Sequence, residues 1–358
     1  WFQSSMLTSI AVNGVAPYKQ IVTHGWTVDG EGKVMHKSLG NAVSPDDVLS
    51  QYGADILRLW VASAEYTQDM RISPEILKQL SQAYLKIRNT ARYMLGNLNG
   101  FDPDDATPVA GLLDLDKWAV AQMNALAKTC RAAYHTYDFH VVYRSIYNFC
   151  VVEMSNFYLD VIKDRLYCGD AAGRKSAQSA LYLILDGLTR LVAPILAFTS
   201  QEIWTAMPHA KEDDAESVLL NDMPDFDPAL ALGEAEEARW TQLLEVRDAA
   251  LKALELAREQ GVKKNQDAEV TLTLDSETFA AWEKGSFLPG FDEADLATLF
   301  IVSKVTVEQG SGVEVAATVK LSEAPKCPRC WNHDGHIGEA GHHGELCDRC
   351  AAVLAKEG

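Results

Sequence analysis

Ser73-Pro74-Glu75 opens a stretch in which Leu77, Leu80, Tyr84, Ile87, Ala91, Met94 and Leu98 recur at spacings of three and four. That period places them on one side of an α-helix about six turns long. Ser suits the N-cap, Pro the first helical position, and Glu the first turn, where the helix dipole favours negative charge. Gly96, Gly100 and Pro103 end the pattern. A second helix opens at Asp116, with Val120, Met123, Leu126, Cys130, Ala133 and Tyr137 in register. From Phe139 to Tyr167 apolar residues fall on more than one face, as in a helix central to a bundle. Arg174 to Met207 continues helical, with Pro194 predicted to kink or split it. Long helices with short connections predict an α-helical bundle.

On the N-terminal side the first ~70 residues read as α/β. Tyr18 to His24 has a strand-like core, Gly25 to Asn41 is a glycine-rich charged loop, and Ser44-Pro45-Asp46-Asp47 is another capped helix start, followed by Val48, Leu49 and Tyr52. On the C-terminal side, Lys211 to Arg239 is strongly acidic and flanked by prolines, so it reads as a solvated linker. Trp240 to Gln260 is amphipathic again. The period then changes to two in Val270-Thr271-Leu272-Thr273-Leu274, Val305-Thr306-Val307 and Val313-Glu314-Val315, predicting strands of a small α+β region.

The chain has 358 residues, 47% hydrophobic and 23% charged, which excludes a disordered or collagen-like protein. No apolar run approaches the ~18 residues of a membrane span. The first residues lack a Met and a signal-peptide pattern, so the sequence is expected to be the downstream piece of a longer cytoplasmic protein. With a net charge of −18, binding to nucleic acid must rest on local basic patches.

Of the seven cysteines, four form two knuckles, Cys327-Pro328-Arg329-Cys330 and Cys347-Asp348-Arg349-Cys350. Two thiolates three positions apart fit one tight turn, and two such turns complete a tetrahedron around zinc. Lys326, Arg329 and Arg349 offset part of the thiolate charge. His333, His336, His342 and His343 between the knuckles read as surface residues, because four thiolates already close the site. A closed site leaves no position for catalysis, so one structural zinc per chain is expected.

Met35-His36-Lys37-Ser38-Leu39-Gly40-Asn41 lies between a glycine-flanked turn and the helix start at Ser44. An ammonium on a closing loop can offset charge on a leaving pyrophosphate, although by spacing alone this is an ordinary surface loop and not a P-loop. Around it, the residues from Trp1-Phe2-Gln3-Ser4-Ser5 through Thr23-His24-Gly25-Trp26-Thr27-Val28-Asp29-Gly30 to Tyr52-Gly53-Ala54-Asp55-Ile56-Leu57-Arg58-Leu59-Trp60 resemble class I aminoacyl-tRNA synthetases, most closely the bacterial isoleucyl branch. The resemblance continues through Ile87-Arg88-Asn89-Thr90-Ala91-Arg92, Leu191-Val192-Ala193-Pro194-Ile195-Leu196-Ala197-Phe198-Thr199 and the two knuckles. The knuckles favour the isoleucyl over the valyl or leucyl branch. The family's KMSKS loop is matched only at Met35, Lys37 and Ser38, since Val34 and His36 depart from it. The family's HIGH signature belongs upstream of Trp1, and His336-Ile337-Gly338-Glu339 is a decoy.

The resemblance implies a multidomain, mainly α chain. Residues 1–72 would be the C-terminal end of a Rossmann-type catalytic domain, 73–239 an anticodon-binding helical bundle with the acidic linker, 240–325 an α+β junction, and 326–358 the zinc tail. It implies ATP- and Mg²⁺-dependent activation of isoleucine and transfer to the isoleucine tRNA by a monomer. Lys37 and Ser38 would be catalytic, Met35, His36 and Lys37 would lie at ATP, and Arg88 and Arg92 would contact tRNA. A non-catalytic zinc-containing tRNA-binding module is the reading from another class.

Overall fold

The computed structural model describes residues 2–259, 261–311, 315–339 and 344–357. The N-terminal region comprises α1 (Phe2–Asn13), β1 (Thr27–Val28), α2 (Pro45–Tyr52), α3 (Ala54–Ser63) and β2 (Met70–Arg71). The two strands pair in parallel, with Thr27 opposite Met70 and Val28 opposite Arg71. The strand expected at Tyr18 to His24 does not form. Lys19 to His24 is irregular and exposed, so its apolar residues have no face to bury. The ladder lies just beyond Gly25, whose N–H donates to the Tyr66 carbonyl at 2.9 Å. A Cβ at Gly25 would sit 2.3 Å from the backbone of Gln68, so only glycine lets the chains run this close.

The bundle follows as predicted: α4 (Pro74–Asn97), α5 (Asp114–His135), α6 (Phe139–Asn148), a π-helical segment (Phe149–Tyr158), α7 (Leu159–Cys168), α8 (Ala171–Val192) and α9 (Ala197–Ala206). The Ser73 hydroxyl caps α4 by accepting from the Ile76 N–H, and Leu77, Leu80, Ile87, Ala91 and Met94 are buried along its inner face. Pro194 splits the last predicted helix into α8 and α9. The break is held from outside. The Arg58 guanidinium donates to the carbonyls of Pro194 and Ile195 at 2.7 and 2.9 Å. The Asp55 carboxylate accepts from the backbone N–H and hydroxyl of Thr199 at 2.7 and 2.5 Å.

The helix expected to open at Asp116 begins two residues earlier, and Asp116 is fully buried. Its carboxylate accepts from the Tyr158 hydroxyl at 2.8 Å, the Ser176 hydroxyl at 2.6 Å and the Arg165 guanidinium at 2.5 Å. One carboxylate thus joins α5, the π-helical segment, α7 and α8. Burial, with the Asp116 charge second, pushes the Tyr158 phenol well above its ordinary range.

The acidic stretch after α9 is no free linker. Asp213 pairs with Arg190 at 2.6 Å, the Trp204 indole donates to the Asp214 carbonyl, and Asn124 bonds both ways with the backbone of Asp227. The segment lies along the bundle because its backbone satisfies side chains that the helices cannot. Beyond it come α10 (Glu234–Arg258), β3 (Ala268–Leu274), α11 (Ser276–Glu283), α12 (Glu293–Phe300), β4 (Lys304–Gln309), β5 (Ala316–Leu321) and α13 (Asp348–Glu357). The sheet order is β4-β3-β5, parallel between β3 and β4 and antiparallel between β3 and β5, with α10 packed against it. Val315 immediately precedes β5, whereas Val313 and Glu314 lie outside the described residues.

Asp116→Ala leaves the Arg165 charge, 19% exposed, without its partner, so the variant should lose about 3–5 kcal/mol in urea unfolding. Lys175→Ala, which removes an exposed pair with Asp105, should cost less than ~1 kcal/mol in the same measurement.

Candidate functional site

Two clusters carry the candidate chemistry. In the first, the chain leaves β1 through a tight turn in which the Asp29 N–H donates to the Lys33 carbonyl at 2.9 Å. Gly32, with φ of +84°, takes the left-handed position. The Asp29 carboxylate accepts from the backbone N–H of Glu31 and Lys33 and from the Asn41 side-chain amide. The Asn41 bond, then the Lys33 N–H, holds this carboxyl below the usual carboxylate range. Beyond the turn, Met35 is half-buried against the core, and its sulfur accepts from the Val43 N–H at 3.4 Å. His36 and Ser38 are exposed, and the backbone of Lys37, Ser38 and Leu39 forms a single 3₁₀ turn. The four residues singled out in the sequence therefore share one projecting loop. Lys33, the nearest alternative cation, pairs with Glu31 at 2.7 Å.

The second cluster is the cysteine tail. The sulfurs of Cys327, Cys330, Cys347 and Cys350 are buried and lie within 4.8 Å of one another. Cys330 and Cys347 have their sulfurs 3.7 Å apart. A tetrahedral zinc with bonds of about 2.3 Å sets sulfurs about 3.8 Å apart, so the donor set fits that ion. Burial raises the Cys327 thiol, but N–H groups of Cys330, Cys347 and Arg329 outweigh it and bring it to about 6. Burial pushes the Cys347 thiol up to about 11.

The tail is not remote from the bundle. Arg349 forms a two-pronged pair with Asp164 of α7. Arg329 donates to the Cys168 carbonyl at 2.8 Å, and the Cys168 thiol donates to the Arg329 carbonyl at 3.3 Å. His333, expected on the surface, is largely buried, and its ring bonds the Ala324 carbonyl and Asp267. Asp267 also binds Lys326, which holds its carboxyl below the usual range. None of His333, His336 or their neighbours belongs to the ligand group among the described residues. His342 and His343 lie outside those residues. Between α7, α12 and the knuckles runs a cleft of about 1100 Å³ lined by Lys163, Tyr167, Lys304, Trp331 and Arg349. Trp331 is 54% exposed, with the Lys264 ammonium 5.3 Å from its ring centroid.

Arg88 and Arg92 are exposed one turn apart on the outer face of α4. Periodicity and spacing do not single out Asp29, Asn41, Asp55, Arg58 or Asp267, and mark Asp116 only as a helix start. Asp29, Asn41, Asp55 and Arg58 lie inside the quoted segments, but no periodicity separates a carboxylate that binds backbone from one that faces water.

Three family models match the chain: "tRNA synthetases class I (I, L, M and V)" over residues 1–73, "Anticodon-binding domain of tRNA ligase" over 116–272, and "Zinc finger found in FPG and IleRS" over 325–353. The isoleucine–tRNA ligase of Caldanaerobacter subterraneus subsp. tengcongensis is 45% identical, covering 100% of this chain and 39% of that protein. Those of Syntrophotalea carbinolica and Geobacter sulfurreducens are each 46% identical, covering 99% of this chain and 38% of theirs. The chain spans about two fifths of the length of these relatives.

The zinc-finger match and the four-sulfur cluster together make this a structural zinc site. The purified, reduced chain should hold about one zinc by metal analysis. Cys347→Ser should abolish it, and because the tail is docked on α7, the loss should also raise hydrogen exchange at the end of α7.

Proposed function

We propose, on the premise that this chain belongs to the class I aminoacyl-tRNA synthetases of isoleucyl type, that a protein containing it activates isoleucine with ATP and transfers it to the isoleucine tRNA. The observation that carries the reading is the 45–46% identity to isoleucine–tRNA ligases along the whole chain, knuckles included. In this reading residues 1–72 complete the catalytic domain, 73–239 bind the anticodon stem, 240–325 form the junction, and 326–358 hold zinc through Cys327, Cys330, Cys347 and Cys350. The protein acts as a cytoplasmic monomer.

Lys37 is the group that acts on ATP, with Ser38 beside it and Met35 and His36 flanking the nucleotide. As the bond to pyrophosphate breaks, negative charge grows on the leaving oxygens. An ammonium brought there by the loop stabilises the transition state more than the bound substrate. Mg²⁺, arriving with ATP, supplies further neutralisation of the phosphates. Arg88 and Arg92 meet tRNA phosphates, whereas anticodon bases are unstacked and read on their edges.

In the full-length protein, Lys37→Ala should slow isoleucine-dependent ATP–pyrophosphate exchange by on the order of 10²–10³-fold, with little change in the KM for isoleucine. An unchanged rate would remove Lys37 from the mechanism. Faster exchange with valine or leucine than with isoleucine would overturn the substrate. Equal affinity for matched and anticodon-altered tRNA across a salt series would overturn anticodon reading.

A further inference from the structure

We infer that Asp29 and Asn41 are positioning residues that lock the neck of the Lys37 loop, holding its two ends together while leaving its tip free to reach ATP. The inference deepens the reading of Lys37 as the group acting on ATP and rests on it.

Asn41 is the bridge. Its side-chain oxygen accepts from the His36 N–H at 2.9 Å, and its amide donates to the Asp29 carboxylate at 2.8 Å and to the Val34 carbonyl at 3.3 Å. The other Asp29 oxygen accepts from the N–H groups of Glu31 and Lys33 at 3.0 and 2.8 Å. The turn after β1 and both ends of the loop are therefore joined through two side chains. Between the fixed points His36 and Asn41 lie Lys37, Ser38, Leu39 and Gly40.

The segment is also held by a backbone bridge between Val34 and Val28 and by the Val43 N–H on the Met35 sulfur. Val34 and Leu39 are exposed, and Met35 packs against the core. Beyond the Met35 anchor, hydrogen bonds decide which conformation the loop adopts. Gly40, with φ of +67° and nothing within 4 Å of a Cβ position, lets the tip bend at one end of the lock. A charged group held at the end of a short, pinned loop approaches its target from a restricted set of positions, which is the advantage of pre-organisation. Neither Asp29 nor Asn41 need touch substrate to produce this effect.

Exchanging the two side chains tests the lock. Asn41→Ala removes the bridge. In the double variant Asp29→Asn with Asn41→Asp, the amide at 29 can donate to the carboxylate at 41, which still accepts from the His36 N–H but no longer donates to the Val34 carbonyl. The carbonyl at 29 still accepts from the turn.

In the chain itself, trypsin should cut after Lys33 and Lys37 at least roughly tenfold faster in Asn41→Ala, which loses three side-chain hydrogen bonds. The double variant should return towards the original rate. In the full-length protein at saturating ATP, Asn41→Ala should lower kcat for pyrophosphate exchange roughly tenfold with the isoleucine KM unchanged, and the double variant should recover part of it. Unchanged cleavage and exchange in Asn41→Ala would overturn the inference, as would a double variant no better than either single one. If Asn41→Ala does not fold by circular dichroism, a folded, slowly cleaved double variant supports the lock and an unfolded one overturns it. If Lys37→Ala leaves exchange unchanged, the catalytic reading fails while cleavage still decides the lock. If Lys37→Ala slows exchange and Asn41→Ala does not, the positioning inference alone fails.

Discussion

Asp55 and Arg58, one turn apart on α3, grip the break between α8 and α9 from opposite sides. A proline break leaves carbonyls unpaired behind it and N–H groups unpaired ahead of it. Arg58 donates to the carbonyls of the break itself, those of Pro194 and Ile195. Asp55 accepts from the first turn of α9, where its charge also complements the helix dipole. Thr199 extends the contact to Tyr84 of α4 at 2.9 Å. Because the Lys37 loop leads into α2 and α3, this clamp sets where the loop stands relative to the bundle. The segments around Gly53-Ala54-Asp55 and Ala193-Pro194-Ile195, both within the span similar to isoleucine–tRNA ligases, are, in space, the two halves of one joint.

Charged side chains with several partners recur at the other junctions, and Asp116 and Arg247 among them are buried. Asp116 holds four segments of the bundle by one carboxylate, Arg247 spans from α10 to the carbonyls of Leu299 and Asn156, and Asp267 gathers Lys326 and His333 beside the zinc tail. Each of these charges is satisfied by several partners, so each is costly to strip of them. The zinc tail is pinned to α7 through Arg349 and Asp164, and a closed four-sulfur site fixes the turn that presents those contacts. A zinc held by these four sulfurs would brace one wall of the cleft beside Trp331 and leave no open position for catalysis.

Much of this was legible in the order of residues. The helix starts at Ser44 and Ser73, the stripe from Leu77 to Met94, the split at Pro194, the alternation of β3 and the four-cysteine knuckle all depend on neighbours a few positions away, so local sequence carries them. Tyr18 to His24 misled because alternation predicts a strand only when a partner and a buried face exist, and here the chain finds neither. The acidic stretch misled for the opposite reason. Its composition suits water, but Arg190, Asn124 and Trp204 offer it bonds that composition does not reveal.

By itself the sequence determined the helical bundle, two strands of the small sheet and the metal-binding tail, since each follows from periodicity, capping or spacing over a short span. Only the tertiary structure decided which polar side chains work. Asp29 meeting Asn41, Asp55 meeting Thr199, Asp116 meeting Arg165 and Arg349 meeting Asp164 are pairings across 12 to 185 positions. A carboxylate's role is set by what packing brings within about 3 Å of it, and that distance exists only once the chain has folded.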